Sequence, residues 1–391
     1  MRFEEAYDNY QDKRLSQGEA ARLLGISDRT FRRYLNRYEE EGLDGLADKR
    51  LNEISHRRAP VDEVVQLETL YRDGYDGWNV RHFHRWYRTR HQGTRSYTWV
   101  KNHLQKAGLV DRGRKRGPHR KKRLPAALPG MLLHQDGSTH QWVPDRYWDL
   151  IVTMDDATNE HYSMRFVEEE GTWSSFLGVR DVLETRGLFC SLYMDRGSHY
   201  WHTPEAGGKV DKQNPTQFGA ALGRLGIEWF AAYSPQARGR SERAFGTHQG
   251  RLPRELALAG ITEMEEANRY LQETYREAFN EEFAHPAREP GSAFLPLKET
   301  NLDEYLCERH ERVVGKDNTV QFEKLHLQIP ADTHRYHYVK TRVKVLRHMD
   351  RSLSVYHGPR CLARYTASGE LETDPCKTSG VGPARGRTDR A

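Results

Sequence analysis

Between residues 129 and 196 the chain alternates short apolar runs with one amphipathic helix, and this alternation constrains the fold more than any other feature. "MLLHQDGSTHQWV" reads as a strand, and "YWDLIVTMDDATNEHYSMRFV" as a hairpin whose Asp156, Ala157, Thr158 and Asn159 supply turn chemistry. "TWSSFLGVRDVLETRG" reads as a helix capped by Thr172, facing inward through Phe176, Val179 and Leu183 and stopped by Gly187. The strand "LFCSLYM" follows and ends on Asp195. A strand, a crossover helix and a further strand make a parallel connection, and ligands of open α/β sheets gather at the carboxyl ends of such strands. Asp195 stands at one such end; Asp136 follows the apolar "MLLHQ" in the same way, two residues from His134 on one strand face.

A third carboxylate comes from "AAYSPQARGRSERAFGTHQGRL". Ser234 and Pro235 read as a helix entry, and Glu242 lies one turn after Arg238 and Gly239. Carboxylates from two strand ends and a helix suit hard divalent cations, Mg2+ or Mn2+, which prefer oxygen ligands. A pair of such ions about 4 Å apart supports in-line phosphoryl displacement. Zinc is disfavoured: Cys190, Cys307, Cys361 and Cys376 are far apart with no CxxC, which also argues against a disulfide framework. His82 and His84 have no cysteine nearby and read as surface or nucleic-acid-facing residues.

At 391 residues the chain exceeds one ordinary core, so two to four domains are expected. No 18-residue apolar stretch exists and "MRFEEAYDNYQ" lacks an apolar signal core, so a soluble, cytoplasmic, nucleoid-associated protein is expected. The formal net charge of +5 conceals an asymmetry. Residues 1–80 carry 13 Lys and Arg against 17 Asp and Glu, whereas residues 81–125 carry 15 against Asp111 alone. Concentrated positive charge interleaved with Trp and Tyr suits a polyanion that exchanges counterions for Lys and Arg.

Two helical units could place that charge on DNA. In "LSQGEAARLLGISDRTFRRYLNRYEEEGLDGL" a helix over 18–24 ends at Gly25, Ser27 caps the next helix, and Phe31, Tyr34, Leu35 and Tyr38 form an apolar stripe. This helix-turn-helix pattern leaves Arg29, Thr30, Arg32 and Arg33 at the start of the recognition helix. Helices over 61–73, 79–90 and 96–107, the last capped by Ser96, form a second unit with Arg95, Tyr97, Thr98, Lys101 and Asn102 as its contact set. The basic linker 111–128 adds Arg112, Arg114, Lys115, Arg116, Arg120, Lys121, Lys122 and Arg123.

The stretches "HQDGSTHQW", "LYMDRGSHY" and "YSPQARGRSERAFGTHQGRLPRELALAGI" resemble the DDE transposases of the retroviral-integrase superfamily, most closely the ISNCY-type insertion-sequence transposases. The resemblance runs from the helix-turn-helix to about residue 365, and it implies that Asp136, Asp195 and Glu242 are the catalytic and metal-binding triad of an RNase H-like core. The interval from Asp195 to Glu242 is longer than is common in retroviral integrases, with the excess in the loop 199–217, which makes Glu205 and Asp211 rivals for the third ligand. Those two lie in a loop without a fixed scaffold, which ranks them below Glu242. A His/Cys zinc module, present in retroviral integrases, is replaced here by helix-turn-helix units. Asp155 and Asp156 read as turn formers, while Arg238, Arg240 and Arg243 could meet DNA phosphates or acidic neighbours.

Beyond Leu252 a helical segment opens with the capping box Thr262 to Glu265 and would pack on the core. Alternating strands over 310–366, with Lys340, Arg342, Lys344 and Arg347, predict a small β-barrel, and the tail 367–391 has the composition of disorder. The expected fold is multidomain: all-α helix-turn-helix domains over 1–55 and 60–110, an α/β RNase H-like integrase catalytic core over 129–300, and the barrel. The expected protein is a transposase that binds double-stranded DNA at the inverted repeats of its element as a dimer or larger homo-oligomer, cleaves the 3′ ends and joins them to target DNA. A DNA-binding regulator with a decayed catalytic domain and a nuclease without strand transfer are the other classes open to the chain. Carboxylates at all three positions speak against the first, and two sequence-reading modules against the second.

Overall fold

The structure, a computed structural model, describes residues 2–48, 59–112, 124–204, 208–233, 235–298, 301–331 and 333–372, without the side chains of 235–238. Two compact units result, one of Met1–Asp76 with Thr98–Val110, the other of Gly77–Tyr97 with Asp111–Ala391. The cut falls inside the expected 60–110 unit, whose middle helix groups with the catalytic core. Among the described residues no helix is long and apolar enough to cross a membrane.

In the first unit, α1 (Phe3–Gln11), α2 (Gln17–Leu23) and α3 (Asp28–Glu41) close over Ala6, Ala20, Ala21, Phe31 and Leu35. Ser16 and Glu19 form a reciprocal capping box on α2, and Ser27 Oγ accepts from the Thr30 N–H at 3.2 Å to start α3. Gly25 between them has φ +68°, a conformation that side chains resist. A 3₁₀ turn (Gly42–Leu46), α4 (Val61–Gly74) and most of α6 (Tyr97–Lys106) complete this unit.

The second unit is built on a five-stranded sheet of β1 (Leu133–Val143), β2 (Arg146–Asp155), β3 (His161–Val167), β4 (Ser191–Met194) and β5 (Glu228–Ala231), ordered β3-β2-β1-β4-β5. The first three strands pair antiparallel; β4 is parallel to β1, and β5 to β4. The chain leaves β3 through α7 (Thr172–Thr185), crosses β2 and β1, and returns as β4. Thr172 begins that helix without capping it; Ser174 Oγ accepts from the Gly171 N–H at 2.8 Å instead. On this face α7 and α8 (Gln217–Leu225) bury Leu133, Phe176, Val179, Leu192 and Phe218.

The opposite face carries α9 (Pro235–Leu258), α10 (Met264–Tyr270), a π-helical turn (Leu271–Tyr275) and α11 (Arg276–Phe283), packed on Trp142, Trp148, Leu150, Val152 and Met154. The expected capping box is not made, since α10 starts one residue later than that motif requires and its N-cap, Glu263, donates no cap. Covered on both faces, β2 is buried over its last eight residues and therefore shows no alternation in sequence.

Helix α5 (Val80–Thr89) docks onto α9 and α11. His82 lies 2.6 Å from Glu255 in a fully buried contact, which corrects its reading as a surface or DNA-facing residue. Burial pushes the His82 imidazole down in pKa, against the pull of Glu255. Arg85 donates to the Ala278 carbonyl and to Glu282, which Arg251 also grips at 2.7 and 2.9 Å.

After α12 (Leu302–Tyr305), the strands β6 (Glu308–Val313), β9 (Arg342–Arg347), β10 (Leu353–His357) and β11 (Arg360–Tyr365) form an open antiparallel sheet ordered β11-β10-β9-β6. The expected barrel is not formed: among the described residues β7 (Thr319–Phe322) and β8 (Leu325–Gln328) pair only with each other. Their Val320, Phe322 and Leu327 fill the core that closure would otherwise have sealed, so β6 and β11 remain edges.

Beneath α9 runs a buried relay. The Tyr275 hydroxyl donates to His248 Nδ1, His248 Nε2–H to His161 Nε2, and His161 Nδ1–H to the Asn159 carbonyl. This ordering follows because a carbonyl only accepts. Burial depresses His161 to about 4 and His248 well below its ordinary value. Both rings titrate near 6.5 when unfolded, so from pH 6.5 downward the unfolded chain binds more protons and stability falls. The urea midpoint of the fluorescence transition should be flat above pH 7 and drop through pH 6.5 to 4.5. His161 alone accounts for about 2 kcal/mol of that drop, and His161→Gln should flatten it.

Candidate active site

Parallel pairing sets the site. Leu133 pairs with Leu192 and His134 with Tyr193, so two residues further on Asp136 and Asp195 stand abreast; Asp195 directly follows β4, but Asp136 lies within β1, which runs on to Val143 against β2, and this corrects its reading as a strand end. The contact of the His134 and Tyr193 rings at 5.3 Å marks the shared face, and Asp136, two residues after His134, points the same way. Asp136 is 6% exposed and takes the Gly137 N–H at 3.1 Å; Asp195 takes the Gly197 N–H at 2.8 Å.

Glu242 comes from α9, which lies along that face. Gln249 Nε2 donates to Ser138 Oγ at 2.9 Å, and Ser138 is two residues beyond Asp136 on β1. Glu242 precedes Gln249 by seven residues, about two turns, and so shares its flank. Glu242 itself is exposed, and among the described residues no three His, Cys, Asp or Glu side chains stand as a group able to hold a metal ion. The two aspartates are thus brought together, with Glu242 on the overlooking flank and not yet against them. Such an oxygen-only donor set fits a hard divalent cation and not zinc.

Glu170, unremarked in the sequence, lies beside this pair. A Cβ added at Gly137 would come within 2.3 Å of its carboxylate, which stands 3.4 Å from both His199 Nε2 and the Tyr200 hydroxyl. Burial, then the charge of Glu170, and more weakly those of Asp136 and Asp195, raise the Tyr200 phenol well above its ordinary value, so it stays a donor. The only sequence signal is the run "VEEEG" directly after β3.

The neighbouring acidic residues take structural roles. Asp155 accepts from the Gly130 and Thr158 backbones in the β2–β3 turn, and burial raises its pKa. Asp156 lies in the same turn, but its side chain points elsewhere: it meets His134 Nε2 at 2.7 Å, the Ala126 N–H at 2.7 Å and the Arg240 guanidinium. Burial pushes its pKa up, but these partners outweigh burial and hold it below the usual carboxylate range. Asp211 is committed to its own turn through Gln213 and Asn214, while Glu205 lies outside the described residues.

On α3, Arg29, Arg32 and Arg33 are exposed, as is Asn36 one turn on from them, which the sequence reading passed over. The Thr30 hydroxyl is engaged by Ser27 at 2.8 Å. Tyr97, Thr98, Asn102 and Arg112 are exposed; Arg95 and Lys101 are half-buried. Arg114, Lys115, Arg116, Arg120, Lys121, Lys122, Arg123 and the side chain of Arg238 lie outside the described residues. Arg240 is bound to an acidic neighbour and Arg243 is exposed.

A mixed sheet in this order, with aspartates abreast on its central parallel strands and a helix-turn-helix ahead of it, defines a class of proteins that act on DNA. Residues 8–52 match the family model described as a helix-turn-helix domain. The chain is 31% identical over 324 residues to the putative transposase y4bF of Sinorhizobium fredii, covering 81% of this chain and 70% of that one. It is 29% identical over 255 residues to the transposase for insertion sequence IS1202 of Streptococcus pneumoniae, covering 63% of this chain and 54% of that relative's length. The chain belongs to this family of transposases. Among solved structures it is similar to a simian T-cell lymphotropic virus intasome in complex with PP2A regulatory subunit B56 gamma, with 14% identity, a TM-score of 0.33, and 72% of this chain and 92% of that one covered. The HTLV-2 integrase catalytic core domain in complex with magnesium matches with 13% identity and a TM-score of 0.29, over 38% of this chain and 88% of that one.

Two glycines, one beside the site and one before β4, make contrasting predictions. At Gly187, which precedes β4, φ is +98° and a Cβ would meet the Leu295 carbonyl oxygen at 2.3 Å; at Gly137 the equally close atom is a carboxylate that can swing aside. Gly187→Ala should therefore cost about 2–3 kcal/mol in urea unfolding, and Gly137→Ala less than about 1 kcal/mol.

Proposed function

We propose that this transposase binds the terminal inverted repeats of its own insertion sequence, cleaves the element's 3′ ends and joins them to target DNA. The observation that carries the reading is the β1–β4 register, which sets Asp136 and Asp195 side by side below the flank of α9 that bears Glu242. In this reading Asp136, Asp195 and Glu242 are the catalytic triad and would hold Mg2+, or Mn2+ in its place, as two ions. When bound, the ions would activate the attacking oxygen and stabilise the leaving one.

The protein's own work is positioning. Strands β1 and β4 fix the two aspartates through backbone pairing, so little reorganisation is needed there. Glu242 closes the site from a helix whose far half is anchored by Gln249 and His248. Water attacks first and frees a 3′-hydroxyl, which then attacks the target strand, with no covalent protein intermediate. Arg29, Arg32 and Arg33 on α3, together with Arg95, Tyr97, Thr98, Lys101, Asn102 and the basic linker, contact DNA. Because two element ends are handled together, the working form is at least a dimer on DNA.

With DNA flanking its own gene, Mg2+ and a target plasmid, the wild type should yield joined products, and Glu242→Gln, Asp136→Asn and Asp195→Asn none. Cleavage that survives Glu242→Gln would refute the triad. Binding without cleavage by the wild type would favour a regulator, and cleavage without joined products a nuclease.

For recognition, Arg29→Ala, Arg32→Ala and Arg33→Ala should each lower the slope of log affinity against log salt by about one. Thr30→Val should leave that slope unchanged, because its hydroxyl serves the cap.

A further inference from the structure

Helix α9 touches the rest of its unit on two opposite flanks near Glu242. Gln249 reaches Ser138 from one flank. Arg240 lies nine residues earlier, half a turn around the helix and about 13 Å back along its axis. From that other flank it grips both the carboxylate and the backbone carbonyl of Asp156. Glu242 sits between the two contacts, on the Gln249 flank.

Asp156 is well suited to be the fixed end of this contact. Its side chain is fully buried, and its two oxygens are held by the Ala126 N–H and by His134 Nε2, each at 2.7 Å. His134 is itself buried on β1, on the same strand face as Asp136 and two residues before it. One carboxylate therefore joins the segment entering the sheet, the strand that carries Asp136 and the helix that carries Glu242. Beyond Gln249 the helix is also held by Arg251 on Glu282 and Glu255 on His82, so the grip of Arg240 bears on its first turns, which carry Glu242.

We propose that Asp156 and Arg240 are positioning residues that fix the first turns of α9, so that Glu242 faces Asp136 and Asp195. The inference rests on the reading of Glu242 as the third ligand. Asp156 and Arg240 touch neither substrate nor reacting atoms; they act through Glu242 and, by way of His134, through the strand of Asp136. Removing the grip should loosen the first turns of α9 and weaken metal capture, while leaving the chemistry at saturating metal nearly intact.

The test uses the full chain, as wild type, Arg240→Ala, Arg240→Lys, Asp156→Asn and Glu242→Gln. Amide hydrogen exchange is measured without metal or DNA, and the Mg2+ concentration for half-maximal cleavage is measured on element-end DNA. Arg240→Ala and Asp156→Asn should exchange faster across residues 236–247, with the helix beyond Gln249 unchanged. Their half-saturating Mg2+ should rise about 10- to 100-fold with kcat nearly unchanged, and Arg240→Lys should recover part of both effects. Should Asp156→Asn fail to fold, Arg240→Ala and Arg240→Lys decide the matter. Exchange and Mg2+ dependence like the wild type in Arg240→Ala, alongside an inactive Glu242→Gln, would overturn this inference and leave the triad standing. Full cleavage by Glu242→Gln would overturn both.

Discussion

Two parallel residue pairs between β1 and β4 govern the catalytic unit. Leu133 and Leu192 are fully buried where the strands meet, and their pairing determines what happens three residues later, at Asp136 within β1 and at Asp195 just past the end of β4. A slip of one residue would turn Asp195 to the opposite face from Asp136. The register is protected from both sides. Leu133 and Leu192 belong to the core under α7 and α8, and the Ser191 hydroxyl donates to the Met131 carbonyl at 2.6 Å, tying the starts of the two strands together. The positions of the carboxylates are thus a consequence of hydrophobic packing one turn of chain away from them.

What could be read in the sequence was what local chemistry decides. Ser27 caps a helix because its oxygen meets the N–H of Thr30 three residues on, and the strand end at Asp195 was visible because an apolar run stops there, whereas β1 runs on past Asp136 to Val143. What escaped was decided by partners distant in the chain. His82 is separated from Glu255 by 173 residues, and nothing near it in the sequence signals that it will be buried. Glu170 went unremarked and Asp156 looked like a turn former, because their partners His199, His134 and Arg240 belong to other elements. The C-terminal strands alternated as barrel strands do, but alternation fixes only which face is buried, and a hairpin met that need without closure.

The docking of α5 shows how charge misleads when counted along the chain. Its arginines fall within the most basic stretch of the sequence, yet Arg85 is spent on Glu282 and the Ala278 carbonyl, and Arg90 lies over the Trp86 ring at 4.1 Å. Part of that positive charge therefore neutralises acids of the catalytic unit. The exposed cations of α3, with no acidic partner for Arg29, Arg32 or Arg33 among the described residues, are better placed to meet phosphates.

Helix α9 reconciles two opposed demands. To present Glu242 at a site that must admit DNA, its early turns have to lie open to solvent; to present it accurately, the helix has to be held. The chain separates these along the helix axis. From Ala244 onward the buried residues Phe245, His248, Leu252, Glu255 and Leu256 recur at helical spacing and bind α9 to β1–β3, α5 and the following helices. Ahead of them Ser241 is buried, Glu242 and Arg243 are exposed, and the grip of Arg240 on Asp156 supplies a directional contact. Apolar burial is non-directional, whereas a guanidinium gripping a buried carboxylate fixes an orientation. An open helix end that is nonetheless held is what a carboxylate approaching two fixed aspartates requires.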